Sequence, residues 1–544
     1  MVKKRFASIA AVLVALVMAV WAAPPAHAQI TTSSTADIVV SGLPADDPAR
    51  VVEAYKIIDV DYDCDVQQPL DPEYHWVEAA AKVLKANDTY KNYVGAENAV
   101  ADFNDALETP NGEDDSKEEN ALYQFLAEKI KGGQCGVTAE DGLTKRGMGV
   151  YLVLVKSGAY IYKPMVAQLV PSYDEASKSY SLNDGAVQPK YSKPAITKTV
   201  RPSNDPYTGS EKHFTGAPLN GDVKFDIVID LPDYPNNMPS YDSKLYLEDQ
   251  MDEMLEFYGG NVGVGNIKIY MTPHGEQERE ATESELGIFE LSCAGAPSKT
   301  IIFSASMRDT TANSLDRYDK IRFEILATLS MAAKPAVKYT NTATLKYVTD
   351  PYSNESAAYS QNSVSDSASV VTYGIRVNKV DAQGKVLAGA KFKLSNNEEG
   401  TEFFDVNKLD NGSYAATKYY GSTGTELETD ANGKLEISAL PLGEYWLFET
   451  KAPDGYNKLA KPIKITVRDS QGRDGVADGT VDPIESEGTT ADGAWTCIQV
   501  ANRKGFMLPQ TGDMGITMFV AAGVVLVGAG GLLYMRNKKR AANE

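Results

Sequence analysis

The hydrophobic pattern changes period several times along this chain. Ala7–Ala23 is an apolar stretch behind Lys3, Lys4 and Arg5, and Ala26-His27-Ala28 follows it. A cationic head, an apolar middle of this length and a small-x-small site read as a secretory signal peptide over 1–28. From 29 to 192 the pattern is mixed. Ile38-Val39-Val40, Val51–Val60, Gly149–Val155 and Ala159–Tyr162 suit strands, whereas Trp76–Ala86 and Glu118–Lys131 suit helices. The second of these helices places Leu122, Phe125, Leu126 and Ile130 on one face and ends at Gly132-Gly133. This predicts an α+β N-terminal domain. From Ala195 onward the period is two, and the chain is mainly β. Ala368-Ser369-Val370-Val371 closes one such domain (193–373) and runs directly into the next (374–505). A last apolar run, 516–535, is long enough to cross a hydrocarbon core as a helix. The basic tail behind it, 536–544 with Arg536, Lys538, Lys539 and Arg540, stays on the cytoplasmic side.

Polar residues that interrupt the alternating strands share one feature. A period of two puts Lys198 with Ile196 and Val200, Asp249 with Leu245 and Leu247, and Asn341 with Val337, Tyr339, Ala343 and Leu345. A lysine, a carboxylate and an asparagine thus point into one predicted core. The same arithmetic recurs in the following domain. Lys379 sides with Ile375 and Val377, Glu449 with Tyr445 and Leu447, and Asn502 with Ile498 and Val500. Burial lowers a lysine pKa and raises that of a carboxylic acid. A neutral Lys198 amine can then attack the Asn341 carboxamide, polarised by Asp249, to form an amide and release ammonia. The competing reading is a buried Lys–Asp ion pair beside a hydrogen-bonded Asn. Asp226, Asp242 and Glu248 are rivals to Asp249 for the acid.

Composition narrows the function. The formal net charge of −21 argues against a nucleic-acid partner and fits an extracellular surface. Four cysteines are too few for a disulfide scaffold, although in an exported chain Cys64 and Cys135, flanking the helical part, are expected to pair. The four histidines and the lack of HExxH, GxSxG, P-loop or CxxC patterns leave catalytic turnover, a metal or a cofactor little to work with.

Leu508-Pro509-Gln510-Thr511-Gly512, followed by the apolar run and basic tail, resembles the sorting signal of Gram-positive wall-anchored proteins. That resemblance implies a sortase that cleaves between Thr511 and Gly512 and passes the threonyl group to an amine. Val187-Gln188-Pro189-Lys190 resembles the "YPK" pilin motif, with Gln188 in place of tyrosine, which implies Lys190 as acceptor, with Lys193 close behind. Pro189 fixes its own φ and disfavours helix at Gln188, so Lys190 is expected in extended, exposed backbone. Gly221–Pro232, Asp249-Gln250-Met251 and Asn341-Thr342-Ala343 look like a CnaA-type isopeptide domain. Ile375–Asp381, Leu387–Leu394 and Tyr445–Tyr456, the last matching the pilin "E-box", resemble a CnaB-type domain. The chain thus resembles the backbone pilins of sortase-assembled pili. The resemblance implies immunoglobulin-like β-sandwiches, Lys198–Asn341 and Lys379–Asn502 bonds promoted by Asp249 and Glu449, and growth through Thr511–Lys190 amides between identical subunits. It implies as partners a pilus-specific sortase, then a housekeeping sortase and peptidoglycan, with minor pilins and host surfaces beyond. A monomeric wall-anchored adhesin is the alternative.

Overall fold

The computed structural model describes residues 29–101, 118–210, 212–234, 244–257, 266–294, 299–307, 314–334, 337–352, 362–468, 480–482, 490–492, 495–505 and 523–532. The chain forms two compact units. One comprises 1–200, 224–327 and 340–368, the other 201–223, 328–339 and 369–544.

The first unit begins with a four-stranded antiparallel sheet in the order Gln68–Trp76, Val51–Asp63, Gly149–Lys156, Met165–Leu169. Val150 and Leu152 face the helices Glu78–Lys85 and Glu118–Lys131, where they meet Trp76, Leu84, Leu122 and Leu126. Tyr151 and Val153 point the other way, toward Ile38, Leu169 and Val187. A strand covered on both faces has no polar side, which is why Gly149–Val155 shows no alternation. The first helix is shorter than Trp76–Ala86. Trp76 instead ends a strand, and its indole donates to the Tyr93 carbonyl at 2.8 Å.

Two six-stranded sheets follow. One runs in the order Ala195–Pro202, Asp222–Asp230, Tyr318–Leu329, Ile267–Pro273, Arg279–Glu280, with Leu255–Phe257 beside Tyr318–Leu329. The other runs Phe214–Gly216, Ser363–Val371, Lys338–Lys346, Lys244–Met251, Thr300–Ser306, Phe289–Ala294. Phe225, Ile227, Phe323 and Ile325 from the first sheet and Leu245, Leu247, Ala343 and Leu345 from the second are all buried.

The second unit is built on one eleven-stranded sheet. Its core holds Ile375, Val377, Phe392, Leu394, Leu435, Ile437, Tyr445, Leu447, Ile498 and Val500. Its first long strand, Tyr373–Asp381, lies parallel to its last, Trp495–Asn502, with Lys379 level with Val500 and Asp381 with Asn502. Gly374 permits that approach, since a Cβ there would sit 2.4 Å from the Trp495 ring. The described residues are mostly β-strand.

The expected Cys64–Cys135 disulfide is not formed, and both thiols are free. Cys64 follows the end of Val51–Asp63 and donates to the Tyr62 carbonyl at 3.8 Å. Cys135 is buried under the helices and donates to the Ala79 carbonyl at 3.5 Å. Each thiol thus has a backbone carbonyl as its partner, and burial pushes the Cys135 thiol above its ordinary pKa. Dithiothreitol should therefore leave the intact mass and melting curve unchanged. Iodoacetamide should alkylate Cys64 in the native protein but Cys135 only after unfolding. A two-dalton mass gain on reduction alone, about the mass of two hydrogens, would restore the disulfide.

Candidate functional site

Lys198 lies on Ala195–Pro202 of one sheet, and Asp249 and Asn341 lie on adjacent strands of the other. Asp249 pairs with Ala343, and Asn341 pairs with Met251, so acid and amide stand two residues apart on the same buried side. All three side chains have zero exposure. The Lys198 ammonium donates to Asp249 Oδ1, and Asn341 Nδ2 donates to Asp249 Oδ2 at 3.2 Å. One carboxylate therefore touches both the amine and the nitrogen that would leave. Phe225 lies under Lys198 Nζ, 5.3 Å from ring centre, and the Lys198 amide donates to Asp366 at 2.7 Å. Burial pulls the Lys198 pKa below its ordinary value, and the Asp249 charge offsets this only in part. Asn341 Oδ1 has no hydrogen-bond partner among the described residues. A buried carbonyl left so is uncommon in folded proteins and costs stability.

The rival acids are occupied elsewhere. Asp226 is fully buried but pairs with Arg322 at 2.8 Å, and half-buried Glu248 pairs with Lys346 at 2.9 Å. Asp242 lies outside the described residues.

Lys379, Glu449 and Asn502 meet in the second unit, each at most 4% exposed. Here the contacts differ. Lys379 Nζ donates to Asn502 Oδ1 and to the Val500 carbonyl, the latter at 3.0 Å. Asn502 Nδ2 donates to Glu449 Oε1 at 2.9 Å and to the Asn457 carbonyl at 3.0 Å. The Leu459 amide holds Glu449 Oε2 at 2.7 Å. The amine thus meets the carbonyl end of the carboxamide and the acid meets its nitrogen. The E-box turn supplies the main-chain partners: Gly455 adopts φ +87°, and its carbonyl accepts from the Gly505 amide at 2.9 Å. Periodicity found the three side chains. It could not reveal Val500, Asn457 or Leu459, because these act through backbone atoms that every residue carries.

Residues 374–479 match the SpaA prealbumin-like fold domain, and 504–541 match the LPXTG cell wall anchor motif. The chain carries a SpaA domain and a wall anchor. A curated relative, the fimbrial subunit type 1 of Actinomyces viscosus, is 33% identical over 96 residues, which is 18% of this chain and 15% of that one. This chain therefore spans well under a fifth of that relative's length. Among solved structures, the T6 backbone pilin of serotype M6 Streptococcus pyogenes is 17% identical at TM-score 0.49, covering 88% of this chain and 100% of that one. The major pilin SpaA of Corynebacterium diphtheriae is 16% identical at TM-score 0.39, covering 86% and 99%.

Lys190 stands between Gly185–Val187, parallel to Ile38–Val40, and Tyr191–Ser192, antiparallel to Ile161–Tyr162. It is half-buried rather than exposed, because these flanking pairs hold the backbone and its carbonyl accepts from the Lys163 amide at 3.0 Å. Lys193 is more exposed. Its ammonium sits 4.5 Å over the Tyr160 ring, donates to the Tyr160 hydroxyl at 3.0 Å and pairs with Asp46 at 3.4 Å. The Tyr160 hydroxyl, followed by Asp46, raises the Lys193 pKa. The sorting residues Leu508, Pro509, Gln510, Thr511 and Gly512 lie outside the described residues. Of the apolar run, 523–532 is helical with Val524–Val527 exposed. Among the described residues no helix is long and apolar enough to cross a membrane.

Removing Lys198 leaves Asp249 buried without its cation, and losses of about 3–5 kcal/mol are typical of such a change. Lys198→Ala should lower the melting transition of the first unit by roughly 10 °C in calorimetry. Lys346→Ala, which breaks only the half-exposed pair with Glu248, should move it by no more than about 1–2 °C. Equal shifts for the two variants would contradict the geometry.

Proposed function

We propose that this chain is the backbone subunit of a sortase-assembled pilus, joined through Thr511 to Lys190 of the next copy. The observation that carries the reading is the conjunction of a wall-anchor motif with a SpaA match over 374–479, in a sheet whose strands Tyr373–Asp381 and Trp495–Asn502 bring Lys379 against Asn502. The 96-residue likeness to a fimbrial subunit supports it. A wall enzyme would need a reactive constellation open to substrate, whereas both Lys–acid–Asn clusters are sealed from solvent.

In this reading the two clusters close into amides. Lys198 Nζ attacks Asn341 Cγ, the carboxyl of Asp249 takes a proton from the amine and returns it to the departing nitrogen, and ammonia leaves. Lys379, Asn502 and Glu449 react likewise. Well-oriented groups lower such a barrier by on the order of 7–11 kcal/mol. Each bond closes a loop of more than a hundred residues, 123 for Lys379 to Asn502. The analogy of a disulfide over such a loop gives a stabilisation of about 4–5 kcal/mol.

Lys190 is the acceptor favoured over Lys193. It follows Pro189 at the end of the N-terminal domain, the place of the lysine in the pilin motif that this stretch resembles. Sortase, the housekeeping sortase and peptidoglycan are the partners this mechanism requires.

Two measurements test the reading. Recombinant 29–505 should weigh about 34 Da less than its sequence mass, about 17 Da of ammonia per bond, and Glu449→Ala should restore half of that. A mass equal to the sequence mass would sink both bonds. In wall extracts, the wild type should give a ladder that survives boiling in detergent. Lys190→Ala should abolish it without loss of anchoring, and Lys193→Ala should leave it intact. A single wild-type band in the presence of the sortase would favour the monomeric adhesin instead.

A further inference from the structure

The strand pair beside Lys190 is short. Tyr191–Ser192 pairs with Ile161–Tyr162 over two residues, and the Lys163 amide donates to the Lys190 carbonyl at 3.0 Å. A two-stranded pair standing alone is marginally stable at best in water. The position of Lys190 therefore depends on what holds the stretch 157–163. Inside that stretch the Ser157 hydroxyl accepts from the Ala159 and Tyr160 amides, each at 2.9 Å. Those bonds shape the turn but do not fix where it lies.

Three residues beside the six-stranded sheets do fix it. Tyr347 and Thr349 follow the strand Lys338–Lys346, and both are buried. The Tyr347 hydroxyl donates to the Ala159 carbonyl at 2.8 Å, and the Thr349 hydroxyl to the Ser157 carbonyl at 2.5 Å. Asn362 Nδ2 donates to the Thr349 hydroxyl at 3.1 Å, which leaves the hydroxyl proton for Ser157. Asp233 follows the strand Asp222–Asp230 of the other sheet. Its carboxylate pairs with Lys163 at 2.7 Å. Its main chain exchanges two hydrogen bonds of 3.0 Å with the Ser192 hydroxyl. The holds thus land at both ends of 157–163 and on Ser192, two residues past Lys190.

We infer that Tyr347, Thr349 and Asp233 are positioning residues for Lys190, so that the acceptor is set by the two facing sheets and not by its own segment alone. This rests on Lys190 being the acceptor of Thr511. Each hydroxyl acts on the far side of the two-residue pair from Lys190, through the backbone that carries Lys163. A chain in which the stretch 157–163 is not seated on Tyr347 and Thr349 still offers the Lys190 amine, but at the wrong place for an incoming threonyl group.

Full-length Tyr347→Phe/Thr349→Val, which removes two hydroxyls at nearly constant volume, tests this. The variant is labelled with nitrogen-15, mixed equally with light unsubstituted chain and assembled by the sortase. Each junction peptide then shows which chain supplied Thr511 and which supplied Lys190. Junctions in which the variant supplies Lys190 should be rarer by roughly tenfold, since a small misplacement of a reacting group costs that much or more. Junctions in which it supplies Thr511 to an unsubstituted chain should be undiminished. Tyr347→Phe/Thr349→Ser, which restores one hydroxyl, should recover part of the loss. Undiminished acceptor junctions, equal losses at both ends, or no recovery with serine overturn the positioning role and leave the polymer reading standing. Absence of Thr511–Lys190 junctions from unsubstituted chain alone overturns both.

Discussion

Burying a lysine without its proton, or with a single well-placed acceptor for it, is the constraint on which the two sandwiches turn. A lone ammonium in a β-core is strongly disfavoured, and the protein resolves this at both clusters with an acid and a carboxamide. The acid in the first unit serves amine and amide at once through its two oxygens. In the second unit the acid accepts from the amide and from the Leu459 N–H, and the amine donates to a carboxamide oxygen and the Val500 carbonyl. The two clusters are therefore different solutions to one desolvation problem. The lysine stands on the first long strand of its sandwich, and the asparagine on a late or final one.

That placement constrains the surrounding architecture. Lys379 and Asn502 can meet only because Tyr373–Asp381 and Trp495–Asn502 pair in parallel with Lys379 level with Val500. A slip of one residue would turn one side chain outward. The close contact of Gly374 with Trp495 and the E-box turn that aims Asn457 and Leu459 both guard this register.

The buried trios were legible because a polar residue in an alternating strand has to face one side or the other. Lys198, Asp249 and Asn341 each fell on the side of their apolar neighbours, and all three are fully buried. The N-terminal region was less legible. A strand apolar on both sides, Gly149–Val155, carries no period, and Trp76 looks the same at the end of a strand as at the start of a helix. The cysteines misled because sequence separation and export say nothing about which way two thiols point. The half-burial of Lys190 was invisible because it arises from two short strand pairs joining segments far apart in sequence.

The proposed covalent geometry gives the chain an unequal division of labour under tension. Load enters a subunit at Lys190 and leaves at Thr511. With an amide from Lys198 to Asn341 it skips the residues between them, and with a second from Lys379 to Asn502 it skips most of the SpaA domain. The strained path shrinks to 190–198, 341–379 and 502–511, and everything else hangs beside it. A disulfide inside residues 29–189 would add nothing to tensile strength, since that region precedes the point where load enters. Under that geometry Cys64 and Cys135 can remain free without cost to tensile strength, and the helices Glu78–Lys85 and Glu118–Lys131 lie off the loaded path.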